Sequence, residues 1–334
     1  MSTGLSRTGK RGIARAISPA VLLPFVLAGY AGYQTQPPGQ GPGPGSFQVS
    51  VDVALVVLHA TVTDRHGSVI PNLDEADFDV FENGVRQHIQ LFKNEDIPVT
   101  VGLVVDHSST MRPKLAEVSA AARTFVRASN PEDEMFVINF NEKVSLGLPG
   151  AIRFTNHTPD LEDAIRTAPT GGMTALYDAI AKALGELQAA GRDRKVLIVI
   201  SDGGDNASVR KLDQVMKLAG QSSAVIYTVG LFDEGDPDQN PGVLKSLAQA
   251  TGGEAFLPGQ VSEVVAICER IARDIRHQYT IGYVPIKPTR EGAYHSIRVN
   301  ARAKDHGKLS VRTRTGYIAG GQPRLDEKRV PGGF

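Results

Sequence analysis

Between residues 99 and 275, apolar runs of strand length alternate with amphipathic stretches of helical length, and this alternation narrows the fold more than any other feature. Thr100-Val101-Gly102-Leu103-Val104-Val105 is continuously apolar. The stretch 115–128 carries Leu115, Val118, Ala122, Phe125 and Val126 at helical spacing. The pattern continues as strand 135–140, helix 176–189, strand 195–200, helix 209–218, strand 224–229, helix 242–250, short strand 254–257 and helix 262–275. Strands without polar alternation are buried on both faces, and helical crossovers make them mainly parallel. The expected fold class is therefore α/β, a doubly wound and mostly parallel sheet.

The flanks read differently. From Phe47 to Phe92 the period is two: Val51, Val53, Leu55 and Val57 lead into Thr61-Val62-Thr63, and Asp64-Arg65-His66-Gly67 makes a turn. Phe78-Asp79-Val80-Phe81 then meets a hairpin signal at Glu82-Asn83-Gly84. After His277 the alternation returns in 278–283, 296–299 and 309–312, running into Gly316-Tyr317. Neither flank alone has the strands and the covered face that independent stability needs. Together they predict one small β-sandwich in two halves, 47–96 and 278–319, with the α/β domain (97–277) inserted between them.

Residues 1–31 have the features of a secretory signal: Arg7, Lys10, Arg11 and Arg15 without an acidic residue, an apolar 17–28, and small residues at Gly29 and Ala31. The apolar stretch is broken by Pro19 and Pro24 and falls short of the ~20 residues a bilayer requires. A cleaved signal is expected rather than a permanent transmembrane anchor, with export to a periplasmic or extracellular space. A Pro/Gly-rich linker follows (32–46), and a Gly/Pro-rich charged tail (320–334) is expected to be disordered. Lysine plus arginine equal aspartate plus glutamate at 36 each, which gives no nucleic-acid footprint. The single cysteine, Cys268, excludes an intramolecular disulfide and a cysteine-built zinc site; its apolar surroundings read as a buried small hydrophobe.

In an open parallel sheet, ligands bind beyond the carboxyl ends of the strands. One strand runs into Asp106-His107-Ser108-Ser109-Thr110-Met111, another into Ser201-Asp202-Gly203-Gly204-Asp205-Asn206, and Gly171-Gly172-Met173-Thr174 precedes a helix start. Each supplies hard oxygen donors. Two carboxylates with several hydroxyls suit Mg²⁺, Mn²⁺ or Ca²⁺ and argue against zinc.

At these residues the sequence resembles the von Willebrand factor A family, whose metal-ion-dependent adhesion site reads Asp-x-Ser-x-Ser, then a threonine, then an aspartate. Asp106-His107-Ser108-Ser109-Thr110 fits with Thr110 for the last serine, a swap that keeps the hydroxyl. The resemblance covers about residues 97 to 277. It implies that Ser108, Thr110 and Thr174 offer hydroxyl oxygens to a metal, that Asp106 and Asp202 act directly or through water, and that a sixth position is left for water or a partner protein's carboxylate. The flanks, through 278–283, Arg314-Thr315-Gly316-Tyr317 and 78–84, are similar to exported proteins of an acidobacterial group related to that family. The resemblance thus implies a non-enzymatic, metal-dependent binding or adhesion protein.

Other readings accompany these. Asp106 and Asp202 would each also serve as a helix cap, near Pro113 and Val209. His107 reads as an exposed loop histidine or a contact at the site mouth. Asp205 extends the acidic edge or belongs to a turn, and Asp178 is a first-turn helix aspartate. Asp233, Glu234, Asp236 and Asp238 form a solvated loop or a second calcium site. Tyr279, Tyr283 and Tyr317 belong to the sandwich core and edge. The rival functions are a cell-envelope scaffold with an incidental metal and a Mg²⁺-dependent phosphotransfer hydrolase. The hydrolase would need a second acid where Ser108 stands.

Overall fold

A computed structural model describes residues 55–319, apart from 151, 234, 236, 288–291 and 305. The expected signal, linker and tail, Val51 and Val53, and Glu234 and Asp236 lie outside the described residues.

The described residues begin with β1 (Val56–Thr63), β2 (Phe78–Glu82), β3 (Val85–Gln87) and β4 (Ile89–Lys93). Asn83 and Gly84 both take positive φ, 48° and 78°, the backbone a tight two-residue hairpin needs between β2 and β3. The α/β region follows as β5 (Val99–Asp106), α1 (Leu115–Ala128), β6 (Glu134–Phe140), β7 (Val144–Leu146), α2 (Thr158–Arg166), α3 (Leu176–Gln188), β8 (Arg194–Ser201), α4 (Leu212–Gln221), β9 (Val225–Gly230), α5 (Pro241–Thr251), β10 (Ala255–Phe256) and α6 (Val264–Arg276). The described residues end with β11 (Tyr279–Tyr283), β12 (Tyr294–Ala301), β13 (Ser310–Arg312) and β14 (Gly316–Ile318).

The central sheet has the order β10-β9-β8-β5-β6-β7, parallel except for β7. Every residue of β5 is buried, as a strand covered on both faces must be. Helix α1 packs against α2 and α6, while α4 packs against α3 and α5, so helices cover both faces. Two elements carried no clear periodic signal. Strand β7 is three residues long, and α2 buries only Leu161, Ala164 and Ile165. The helix expected over 209–218 lies at Leu212–Gln221 instead, and Val209 is 91% exposed. Residues 209 and 210 instead donate their N–H groups to Asp178, so the chain is committed to a loop there.

The described residues form two further sheets, both antiparallel, β13-β1-β11-β4 and β14-β12-β2-β3. Each mixes strands from before and after the α/β region, and their inner faces share one apolar cluster. Leu58, Val62, Phe78, Val80, Tyr279, Ile281, Val299 and Tyr317 all belong to it. Within it Glu82 accepts hydrogen bonds from the Tyr283 and Tyr317 hydroxyls at 2.7 and 3.2 Å, which satisfies a carboxylate that is 4% exposed.

A polar seam joins these sheets to the α/β region. Arg194, buried at the start of β8, donates to the Ile275 carbonyl and to Gln278, whose amide donates to Tyr227 and Thr61. Arg312 on β13 binds Asp274 at 2.6 Å and Glu254 at 2.5 Å. His59 on β1 faces the same seam. Burial of its ring, reinforced by the nearby Arg194 and Arg314 cations, holds its pKa down at about 3.

Candidate metal centre at the sheet rim

The parallel register explains how the rim is assembled. Strands β5 and β8 are neighbours with Val105 opposite Ile200. The next residues, Asp106 and Ser201, therefore meet at the carboxyl ends, and the Ser201 hydroxyl donates to Asp106 Oδ2 at 2.7 Å. β5 has β6 on its other side, and β6 precedes β8 in the chain, so the rim between β5 and β8 lies where successive connections diverge.

Three loops converge there. After β5 the chain turns tightly, with the Ser108 N–H on Asp106 Oδ1 at 2.8 Å, and enters a 3₁₀ turn over Ser109–Lys114. Within it the Thr110 hydroxyl donates to Asp202 Oδ2 at 2.7 Å, and Ser108 Oγ lies 3.2 Å from Thr110 Oγ1. Thr110 spends its hydroxyl proton on the hydrogen bond to Asp202, so Ser108 is the donor in any bond between the two hydroxyls, and the Ser108 Oγ lone pairs are free. The loop carrying Thr174 is tied to the first by Gly171 N–H to the His107 carbonyl, 2.8 Å. Its own backbone is clasped by Asn206: the Thr174 N–H donates to Asn206 Oδ1 at 2.8 Å, and Asn206 N–H returns to the Thr174 carbonyl at 3.0 Å. The bonds of Thr174 run through its backbone, and its side chain is buried at the junction. The five residues thus lie on three adjoining loops, with Asp106, Ser108, Thr110 and Asp202 linked by direct or Ser201-mediated bonds.

The electrostatics are unusual for a buried pair of acids. Asp106 is fully buried and Asp202 is 4% exposed. Every partner of their four oxygens is a hydroxyl or a backbone N–H: Ser108 and Ser201 for Asp106, Thr110 and Gly204 for Asp202. No cation answers either charge among the described residues. Burial pushes the Asp106 pKa up to about 6, the hydrogen bonds from Ser201 and Ser108 oppose the rise, and the Asp202 charge adds to it. Buried carboxylates normally carry a paired cation or a metal. No cluster of three histidine, cysteine or acidic side chains fit for a metal occurs among the described residues. A cation here would therefore rely on hydroxyl oxygens beside two carboxylates, and that donor set fits a hard divalent ion.

Neighbouring residues sort themselves. Neither aspartate caps a following helix, since α1 starts at Leu115 and α4 at Leu212. His107 is not an exposed loop residue. It is 1% exposed, with Nε2 3.0 Å from Asn139 Oδ1, because β6 supplies a buried amide opposite it. Asn139 spends its own N–H on the Ala164 carbonyl, so the imidazole must donate through Nε2. Asp205 accepts from the Tyr177 N–H at the start of α3 and from the Ser208 hydroxyl within its own loop. Asp178 stands in the first turn of α3 and pairs with Arg210 at 2.9 Å. Asp233 is answered by the buried Lys114 at 2.9 Å, and Asp238 accepts from Asn206. Sequence reading did not assign roles to Ser201 or Asn206. The strand register would have exposed Ser201, while nothing local marks Asn206.

A doubly wound sheet with an oxygen-donor rim at its switch point defines the class of domain. Residues 101–204 match the family model of the von Willebrand factor type A domain. No curated protein matches the chain. Among solved structures it is similar to a von Willebrand factor type A protein from Catenulispora acidiphila, at 12% identity over 80% of this chain and 74% of that one, TM-score 0.47. It is also similar to the von Willebrand factor domain of a type V pili tip protein from Porphyromonas gingivalis, at 16% identity over 54% and 95%, TM-score 0.45. A third is proximal thread matrix protein 1 of the mussel byssus, described with a zinc-occupied MIDAS motif, at 15% identity over 59% and 50%, TM-score 0.47. No helix among the described residues is long and apolar enough to cross a membrane.

Proposed function

We propose that this chain is an exported, non-enzymatic binding protein in which Asp106, Ser108, Thr110, Thr174 and Asp202 hold a divalent cation that grips an acidic group of a partner protein. One observation carries the reading: two buried carboxylates at the sheet rim have only neutral partners among the described residues, beside a Ser108 hydroxyl whose lone pairs are free. A bound Mg²⁺, Mn²⁺ or Ca²⁺ would supply Lewis acidity toward the partner's carboxylate. The chain's own part is to hold the oxygens. Ser201 fixes the Asp106 rotamer, Thr110 fixes Asp202, and Asn206 pins the backbone of Thr174. The domain is taken to run over residues 97–277, between the sandwich halves 47–96 and 278–319. Mg²⁺ and Mn²⁺ titration calorimetry tests the site on wild type, Asp106→Asn and Asp202→Asn. Wild type should bind one ion and both variants should lose it; no binding by wild type at millimolar metal overturns the assignment.

A further inference from the structure

The 3₁₀ turn after β5 holds two cations with opposite fates. Lys114 is buried and spent on the Leu231 carbonyl and Asp233, both at 2.9 Å. Arg112, two residues past Thr110, is exposed. It gives one N–H to the Thr170 carbonyl at 3.1 Å and meets no carboxylate among the described residues. A guanidinium carries five N–H donors, so most of its binding capacity is unspent.

Gly171 has φ 119°, a backbone that favours glycine, and Arg112 Nη2 lies 2.9 Å from where a Cβ there would stand, so the guanidinium packs over the bare backbone of that loop. The same loop delivers Thr174 three residues later, which sets Arg112 beside the candidate metal centre. Glu142 accepts the Met173 N–H at 3.2 Å and lies against Gly172, so the loop has a cationic side and an anionic side. Met173 is 53% exposed at its tip.

We propose that Arg112 is a second recognition point of this site, selecting a polypeptide segment with two acidic side chains close in sequence. One carboxylate goes to the divalent cation and the other to Arg112, away from Glu142, while Met173 contacts the apolar atoms between them. This rests on the metal reading above. A 2+ ion cancels Asp106 and Asp202, so Arg112 leaves the side of the site away from Glu142 cationic. A planar fork also suits a carboxylate bidentately, whereas a lysine would offer only a point charge. The exposed apolar tip favours a polypeptide over an acidic polysaccharide.

The test uses the full chain with labelled probes: the pentapeptide Gly-Asp-Leu-Glu-Gly, its Gly-Asp-Leu-Gln-Gly counterpart, and digalacturonate, each with Mg²⁺ and with chelator. Wild type should prefer the diacidic peptide by about tenfold. Arg112→Gln should erase that preference while leaving calorimetric Mg²⁺ affinity unchanged. An undiminished preference in Arg112→Gln overturns the proposal, as does digalacturonate binding in place of the peptide. Mg²⁺ binding with no peptide binding overturns this proposal alone; absent Mg²⁺ binding overturns the metal reading and this proposal with it.

Discussion

Buried carboxylates stand at both ends of the α/β region, and the molecule treats them in opposite ways. At the seam, Asp274 is 1% exposed and is met by Arg312, which also binds Glu254. At the rim, Asp106 and Asp202 are buried as deeply and meet only hydroxyls and N–H groups. A charge taken from water without a counterion is expensive, and the cost rises when a second like charge lies beside it. Asp274 at the seam is therefore answered by a cation of the chain itself, whereas Asp106 and Asp202 at the rim meet none among the described residues.

That contrast can be attacked from both ends. The largest effect belongs to the seam. Arg312→Met should strand Asp274 without its cation and cost about 3 kcal/mol of unfolding free energy, read from urea denaturation. A loss below about 1 kcal/mol would mean the seam is no better compensated than the rim. Next comes the rim's response to metal. Saturating Mg²⁺, at about one hundred times its dissociation constant, should stabilise the wild type by about 2.7 kcal/mol and leave Asp106→Asn unmoved. An equal shift in both proteins would place the ion elsewhere.

His59 gives a pH signature to the seam. Its folded pKa, about 3, lies below the ordinary 6.5, so the unfolded chain binds the extra proton between those values. Its contribution is present above pH 6.5 and is lost as pH falls toward 3, with a slope of up to about 1.4 kcal/mol per unit. His59→Gln should flatten that part of the profile; an unchanged slope would assign acid sensitivity to other groups. The smallest effect has the opposite sign from the first. In chelator, Asp106→Asn removes an unanswered charge and should stabilise the fold by about 1 kcal/mol, measured by thermal unfolding at neutral pH. Destabilisation instead would show that the rim carboxylate is already satisfied by its hydrogen bonds.

The parts of this structure that sequence made legible are those with repeated local signals. The apolar strands from Thr100 to Val105 and from Val196 to Ile200, and the amphipathic spacing of 115–128, declared themselves by periodicity. The Asn83-Gly84 hairpin was legible because few dipeptides tolerate two positive φ angles. The rim loops were readable because an aspartate ending an apolar strand is rare without cause. What escaped reading depends on contacts made far along the chain. Helix α2 and strand β7 are too short to show a period, and Val209 belongs to a loop because Asp178, thirty-one positions away, takes its N–H. His107 looked like a loop residue, yet its burial is set by Asn139 on the neighbouring strand. The clasp of Asn206 on Thr174 is likewise a tertiary contact with no local mark.

The pairing of β4 with β11 has a kinetic side. Lys93 and Thr280 are register partners, although nearly the whole α/β region lies between them in the chain. Joining two strands across a flexible loop of that length carries an entropic penalty that grows with the logarithm of its length. A loop that has already folded and presents its two ends together no longer carries that penalty. The expected order of assembly is that the central sheet condenses first and the sandwich zips shut behind it. In pulsed hydrogen exchange during refolding, amides of β5 and β8 should gain protection before those of β1 and β11.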